Sequence, residues 1–148
     1  MLQAAAALSI DPLVQPETTG HGHAVDALVA AAFGPGRYAK TAERLREGSR
    51  PAVGFVVEEQ GQVTGAVRLW PITIGGTPAL FLGPIAVDAE RRGDGQGAAL
   101  VQACLDHAHA ASASGVLLVG DPPYFQRFGF VAASGVTSVS YTHLTLPT

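Results

Sequence analysis

Residues 82–100 read LGPIAVDAERRGDGQGAAL, and this stretch decides most of what the chain can fold into. An apolar run with strand character ends at Val87, a charged turn follows, and glycines stand at positions 93, 95 and 97, where an amphipathic helix begins. Glycine lets backbone N–H groups approach an anion closely, and a helix N-terminus adds unpaired donors and the positive end of the helix dipole. The stretch therefore predicts a phosphate-binding site, to which Arg91 and Arg92 add positive charge.

The composition is typical of one globular domain. With 148 residues, 47% of them hydrophobic and 14% charged, the chain can bury a single core. A net charge of -3 without a basic stripe argues against nucleic acid as a partner. Cys104 is the only cysteine, so no internal disulfide is expected, and no Cys/His spacing resembles a metal site. Residues 1–8 are too short for a membrane anchor and lack the basic start of a signal peptide, so a cytoplasmic location is expected.

Hydrophobic spacing outlines an order of helices and strands. Apolar residues at helical spacing predict helices or helical turns at residues 24–33, 38–47, 97–111 and 122–128. Beta-rich runs bounded by turn residues predict strands at residues 12–15, 53–58, 63–70, 79–87 and 116–119, with another extended piece from residue 130. Short turns join the three central strands, so we expect them to form an antiparallel meander.

One pair of residues interrupts the last strand of this meander. Pro84 cannot donate a backbone hydrogen bond to a neighbouring strand, and Gly83 weakens a strand interior. The pair predicts a bulge, or a position where strand pairing ends.

The last ten residues, 139–148, read VSYTHLTLPT and resemble the translation of a transposase-type DNA sequencing adapter. On that interpretation, residues 1–138 form a single domain that is incomplete at its C-terminus, and residues 139–148 are a non-native tail to be left out of fold reasoning. The alternative interpretation is a natural strand-like tail.

With these elements assigned, the chain resembles the GNAT superfamily of N-acetyltransferases, in particular its YhbS-like branch. That superfamily marks acyl-CoA binding with the pattern Gln/Arg-x-x-Gly-x-Gly/Ala, which the sequence RGDGQG at residues 92–97 matches position by position. Its second signature is a Tyr/Phe-rich turn that ends in Gly-Phe, matched by GDPPYFQRFGF at residues 120–130. The resemblance extends over about residues 12–136.

The resemblance implies an α/β (α+β) fold in which helices flank a mixed, mostly antiparallel central sheet. In the family, two further strands follow the second signature, and a chain cut near residue 138 is expected to lack one or both of them. The strand at residues 116–119 is then expected to have an open edge, which predicts a marginally stable or aggregation-prone protein. A homodimer is one possible assembly.

The resemblance also implies the transfer of an acetyl group from acetyl-CoA to a primary amine of a small molecule, a protein N-terminus or a lysine, by direct attack and without a metal. The pantetheine arm is expected to pair like an added strand with Ile85, Ala86 and Val87. A backbone N–H at Ile85 or Ala86 is expected to stabilise the oxyanion. The expected pyrophosphate site comprises Arg92, Gly93, Asp94, Gly95, Gln96, Gly97 and Ala98.

The second signature departs from the family at the residue that protonates the leaving thiolate. Counting back from Phe130, the usual tyrosine position holds Phe125, which cannot donate a proton and is expected only as a cofactor contact. Tyr124 stands one place earlier. Tyr124 as a shifted general acid, water as the proton donor, and a poor catalyst all stay open. The last option favours a non-catalytic acyl-CoA-binding module or an inactive truncated fragment.

Two residues of the glycine turn also depart from the family pattern. Asp94 is expected to oppose a phosphate unless its side chain turns to solvent, and Gln96 replaces the usual aliphatic residue. The same turn formally fits a dinucleotide fingerprint with Asp121 as the acidic ribose partner, although that fold requires parallel strands.

Several other side chains have a structural and a functional interpretation. Cys104 is expected to be a core residue rather than a nucleophile. Arg68 and Trp70 are expected on a sheet face, with substrate contact as the alternative. The candidate general bases are Glu58, Glu59 and Asp121.

Overall fold

One sheet organises the computed structural model, which describes residues 13–33, 51–91, 93–132 and 141–144. Its strands are β1 Val14–Pro16, β2 Val53–Glu59, β3 Gln62–Ile74, β4 Thr77–Val87, β5 Val116–Val119, β6 Val131–Ala132 and β7 Tyr141–Leu144. The helices are α1 Gly22–Phe33, α2 Gln96–Ala110 and α3 Pro122–Gln126, with short 3-10 turns at Thr19–His21 and Ala89–Arg91. The strand order is β1-β2-β3-β4-β5-β7-β6, and only β4 and β5 run parallel to each other.

Two tight turns set the register of the meander. They lie at Gln60-Gly61 and Gly75-Gly76, and all four residues have positive φ. Two-residue turns of this kind match the twist of antiparallel strands. The predicted meander is confirmed, and the dinucleotide alternative is wrong because that fold needs parallel strands before the glycine turn. The helix predicted at residues 38–47 lies outside the described residues.

Two residues of β4 lie opposite a single residue of β3. The pairing shifts register between Val67 and Leu69 of β3, which leaves Arg68 opposite Gly83 and Pro84. The peptide bond between Gly83 and Pro84 is cis. The bulge predicted from this pair is confirmed.

The strands β4 and β5 diverge beyond a short paired segment. Leu80 and Phe81 pair with Val116 and Leu117, and within the described residues no further pair joins the two strands. Among the described strands, β3 is the one that pairs with the rest of β4, through Val87. The prediction that strand pairing ends near the Gly83-Pro84 pair is confirmed for the pairing of β4 with β5, which ends at Phe81.

Buried apolar residues lie on both faces of the sheet. Beneath α2 they form a large cluster that contains Leu69, Leu100 and Cys104, together with Phe130 from the end of the second signature. Beneath α1 they form a smaller cluster of Val25, Val29, Val56, Ala66 and Ala86. Cys104 is fully buried, as predicted, and burial raises the pKa of its thiol far above the usual range, which makes it a poor nucleophile.

The outer edge of β5 differs from the expectation. All four residues of β5 pair with β7, and β7 pairs with β6, so the expected open edge of β5 is wrong. The expected loss of native strands stays a prediction. The unpaired backbone groups of a strand edge readily accept an extended segment, and the Thr- and Tyr-containing residues 141–144 have β propensity. These residues belong to the segment interpreted as a non-native tail, and their origin stays a prediction.

Candidate active site

A cavity of about 580 Å³ opens where β4 and β5 diverge, next to the first turn of α2. This volume lies within the usual range for small-molecule sites. The lining residues are Ala32, Ile85, Ala86, Val87, Arg91, Gly93, Gly95, Gln96, Gly97, Ala98, Tyr124, Phe125 and Arg127. The cavity therefore brings the second signature next to the end of β4 and the first signature, which follow each other closely in the chain.

The register of β4 determines which of its backbone groups face the cavity. The amide of Asp88 donates to Thr64 at 2.7 Å, and residues 85–87 continue the same antiparallel pairing. Because hydrogen-bonded and non-bonded pairs alternate along such a ladder, the Ala86 amide points toward β3. The amides of Ile85 and Val87 therefore point to the open side. This narrows the expected oxyanion contact at Ile85 or Ala86 to Ile85.

The first turn of α2 supplies a second group of unpaired donors. Gly93 and Gly95 have φ of 93° and 83°, a conformation that glycine adopts without steric cost. Gly95 precedes the helix, and no side chain caps it there. The amide groups of the first turn are thus available to an anion. Arg92, expected at this site, lies outside the described residues.

The two unusual residues of the glycine turn have different surroundings. Asp94 is exposed and does not line the cavity, which is the solvent-facing arrangement that phosphate binding requires. Gln96 is buried, with only 2% exposure, and its Oε1 lies 3.1 Å from the Thr64 hydroxyl, which can donate to it. A Cβ on Gly65 would come 2.9 Å from the same Oε1 atom. A glycine in β3 thus makes room for a polar side chain at the start of α2.

The two aromatic residues of the second signature point in different directions. Phe125 is buried in the α2-face cluster and packs directly over Gly120, where its ring would clash with any Cβ. Tyr124 is half-buried, and a Cβ on Gly97 would come 3.1 Å from its hydroxyl oxygen. Of these two aromatic residues, Tyr124 is therefore the one that brings a hydroxyl group to the start of α2.

Two of the described arginines line the cavity, and they differ in their partners. Arg91 forms an ion pair with Glu59, and the hydrogen bond and charge of that carboxylate raise the pKa of Arg91. Arg127 stacks on Tyr124, with its guanidinium carbon 4.2 Å from the ring centroid. Among the described residues Arg127 has no ion-pair partner. Arg127 and Ala32 were not expected at the site; the position of Arg127 inside the second signature was the signal available for it.

None of the three expected general bases lines this cavity. Glu58 accepts a hydrogen bond from Gln15 at 2.6 Å and lies 3.3 Å from His21. Glu59 is held by Arg91, and Asp121 is exposed at the start of α3. In the part of the chain that the structure describes, no group of His, Cys, Asp and Glu could hold a metal ion, and no helix is long and apolar enough to cross a membrane.

Outside the cavity, several polar side chains contact one another on the α1 face of the sheet, next to the bulge. Arg68 donates to both carboxylate oxygens of Glu17, at 2.7 and 3.0 Å, and lies 3.4 Å from Asp26. The indole Nε1 of Trp70 donates to the carbonyl oxygen of Gly83 at 2.6 Å. Both β3 side chains are buried, as expected for a sheet face.

Comparison with known proteins covers nearly the whole described region. Residues 14–130 match the sequence profile of the acetyltransferase (GNAT) family. The uncharacterized N-acetyltransferase YhbS of Escherichia coli K12 is 33% identical over 125 residues, which make up 82% of this chain and 75% of that protein. Escherichia coli YhbS crystallised with CoA superposes with a TM-score of 0.79 and 28% identity, over 93% of this chain and 83% of that one. A Brucella melitensis GNAT acetyltransferase in complex with acetyl-CoA superposes with a TM-score of 0.76 and 27% sequence identity, over 94% of this chain and 90% of that one.

Proposed function

This chain belongs to the GNAT family of acetyltransferases, and we propose that it transfers an acetyl group from acetyl-CoA to a primary amine of a small molecule, a protein N-terminus or a lysine. The observation that carries the proposal is the divergence of β4 and β5 beside the uncapped start of α2. It offers strand-like backbone donors and an anion site in one cavity, which are the two recognition elements that a pantetheine arm and a pyrophosphate need.

The backbone of β4 holds the acyl end of the donor in this proposal. Val87 pairs with the pantetheine amides through its outward-facing N–H and C=O groups. The Ile85 amide donates to the thioester carbonyl oxygen and stabilises the negative charge that develops there when the amine attacks. The Ala86 amide points toward β3, and its side chain packs in the cluster beneath α1.

The start of α2 binds the phosphates. The amide groups of Gln96, Gly97 and Ala98 lie at the N-terminus of α2, which is the positive end of the helix dipole. The glycines before them let the anion come close. Of the two described arginines at the cavity, Arg127 is assigned to the phosphate charge because Arg91 is already neutralised by Glu59. Arg92 is retained from the family pattern as a further phosphate contact.

Tyr124 is proposed as the general acid that protonates the leaving thiolate. Its hydroxyl lies at the start of α2, whereas Phe125 at the usual tyrosine position is buried and has no proton to give. No carboxylate of the described residues lines the cavity, so the amine is proposed to lose its proton to water.

A thiol-release assay with a panel of amines tests the proposal. Amine-dependent release of CoA from acetyl-CoA is expected for the wild-type chain. Gly97→Leu places a side chain in the cavity and should weaken CoA binding by about tenfold or more, because the anion can no longer approach the helix start. Gly22→Leu is the matched control, since a Cβ at this helix start meets nothing within 4 Å.

Three outcomes are distinguished by these measurements. CoA binding without turnover of any amine would contradict catalysis and favour an acyl-CoA-binding module. Absence of CoA binding, or equal binding by the Gly97→Leu variant, would contradict the site itself. Tyr124→Phe with an unchanged kcat would remove the tyrosine from the mechanism and leave the rest in place.

A comparison of two arginine variants tests the phosphate assignment. Arg127→Gln should weaken CoA binding by about tenfold, because a charge-assisted hydrogen bond to phosphate is lost. Arg91→Gln should weaken it less, since Glu59 already neutralises that side chain. If Arg127→Gln weakens the binding of 3′-dephospho-CoA and of CoA equally, Arg127 contacts the pyrophosphate. If it weakens the binding of CoA alone, Arg127 contacts the 3′-phosphate. The reverse ranking of the two variants would overturn the assignment.

A further inference from the structure

The bulge in β4 determines which amides face the cavity. Side chains and backbone groups alternate along a strand with a period of two, so moving the pairing by one residue exchanges the inward and outward amides. Below the bulge, Ile85 pairs with Val67, and above it Leu82 pairs with Leu69. The two bulge residues, Gly83 and Pro84, therefore have to stay opposite Arg68 for the Ile85 amide to remain outward.

Strand pairing alone holds these two residues weakly. Pro84 has no N–H, so this residue adds no donor to the ladder. Gly83 has a φ of 146°, a conformation that side chains rarely adopt, and it offers its carbonyl oxygen to a group outside the ladder. A specific contact to that oxygen is what can keep the bulge in one position.

Trp70 provides this contact. Its Cα lies opposite Phe81, its side chain is 4% exposed, and its Nε1–H donates to the Gly83 oxygen at 2.6 Å. The Phe81 ring approaches Gly83 as well, at 3.3 Å from an ideal Cβ there. A rigid indole two residues along β3 from Arg68 thus holds the bulge from the α1 side without lining the cavity itself.

We propose that Trp70 is a positioning residue for the acetyl carbonyl: by binding the Gly83 oxygen, it keeps the bulge in the register that directs the Ile85 amide into the cavity. This inference rests on the proposed function, because it gives the Ile85 amide its role at the thioester. Trp70 does not contact the cavity in this scheme and acts through the backbone of β4.

The experiment uses the fact that Trp70 is the single tryptophan of the chain. Replacing it with β-(3-benzothienyl)alanine keeps the shape of the bicyclic ring and removes the N–H donor at this one position. We expect kcat to fall by about tenfold, a part of the effect of losing an oxyanion donor outright, while CoA affinity changes by less than about threefold. 5-Fluorotryptophan at the same position retains the donor and should rescue kcat.

A second readout does not require turnover. The backbone amide resonance of Ile85 should shift more with acetyl-CoA than with CoA in the wild-type chain, and this difference should disappear in the benzothienyl protein. If no amine is turned over, which would contradict the proposed function, this resonance still tests the positioning role. Trp70→Phe, a genetically simple variant, should give the same pattern, and thermal melts report whether each protein is folded.

Two results would overturn the proposal. An unchanged kcat together with an unchanged Ile85 response in the folded benzothienyl protein would show that the donor has no positioning role. An equal loss of CoA affinity and kcat would indicate a general structural role of Trp70, because the phosphate end of the cavity lies at α2 rather than at the bulge.

Discussion

The two faces of the sheet around β4 are held together by different interactions. Beneath α2, the face is an apolar cluster in which Leu100 and Val101 of the helix pack on Leu69 and Leu82 of the strands. Beneath α1, the apolar cluster is small, and a buried ion pair and an indole hydrogen bond lie beside it. This ion pair and this indole hydrogen bond lie next to the bulge.

This difference separates two structural tasks. Apolar packing is strong but has little directional preference, so it fixes α2 on the sheet and with it the α2 end of the cavity. Hydrogen bonds and ion pairs are directional, and the α1 face uses them where one strand register has to be kept. We therefore expect α2-face substitutions to affect mainly stability, and α1-face substitutions near the bulge to affect stability and kcat together.

The largest effect is expected for Arg68→Met on the α1 face. The side chains of Arg68 and Glu17 are only 11% and 12% exposed, so the variant leaves a buried carboxylate without its partner. Breaking a buried pair in this way costs about 3–5 kcal/mol of unfolding free energy. Urea unfolding measures the loss. The double variant Arg68→Met/Glu17→Leu should recover most of the lost unfolding free energy. A loss below about 1 kcal/mol in Arg68→Met alone would contradict a buried pair.

Leu100→Ala tests the α2 face. Leu100 is fully buried in the apolar cluster, and truncation of such a side chain costs about 2–5 kcal/mol through lost burial and the remaining cavity. Leu13→Ala is the matched control, because Leu13 is 74% exposed and the change should stay within about 0.5 kcal/mol. If kcat in Leu100→Ala falls by more than the fraction of folded protein does, the expectation that α2-face substitutions affect mainly stability would be contradicted.

A matched pair of glycine substitutions compares the faces directly. In Gly54→Ala on the α1 face, the new Cβ would overlap the Glu17 carboxylate and displace it from Arg68. In Gly65→Ala on the α2 face, it would meet Gln96 Oε1 at 2.9 Å and Leu100 Cδ1 at 3.1 Å, which can shift slightly. Overpacking costs about 1–3 kcal/mol, with Gly54→Ala at the upper end. Chemical unfolding of both variants gives the ranking, and the opposite order would contradict the importance of the Glu17–Arg68 ion pair on the α1 face.

The smallest effect concerns Cys104 on the α2 face and is absent at neutral pH. Burial raises the thiol pKa in the folded chain, so above about pH 8.5 the unfolded chain loses a proton that the folded chain keeps. Stability should therefore fall with rising pH, by about 1.4 kcal/mol per pH unit for this group. Unfolding measured between neutral and alkaline pH should show this slope in the wild type. Its persistence in Cys104→Ala would assign it to other groups.

Much of the candidate site was predictable because its signals are local. The glycine spacing, the helix that follows and the Gly83-Pro84 interruption each depend on neighbouring residues, and the cavity contains ten of the twelve expected site residues. Of the other two, Asp94 faces solvent, and Arg92 lies outside the described residues. A cytoplasmic location, a homodimer and the limits of the native domain stay predictions.

The sequence by itself determined the order of the elements, the bulge and the glycine turn before α2, since periodicity, glycine and proline act over a few residues. Only the tertiary structure decided that the Ile85 amide rather than that of Ala86 faces the cavity, and that Trp70 binds the bulge. It also decided that Glu17 joins Arg68 and that residues 141–144 cover the edge of β5. These outcomes depend on strand register and on contacts between distant segments, and no local pattern specifies them.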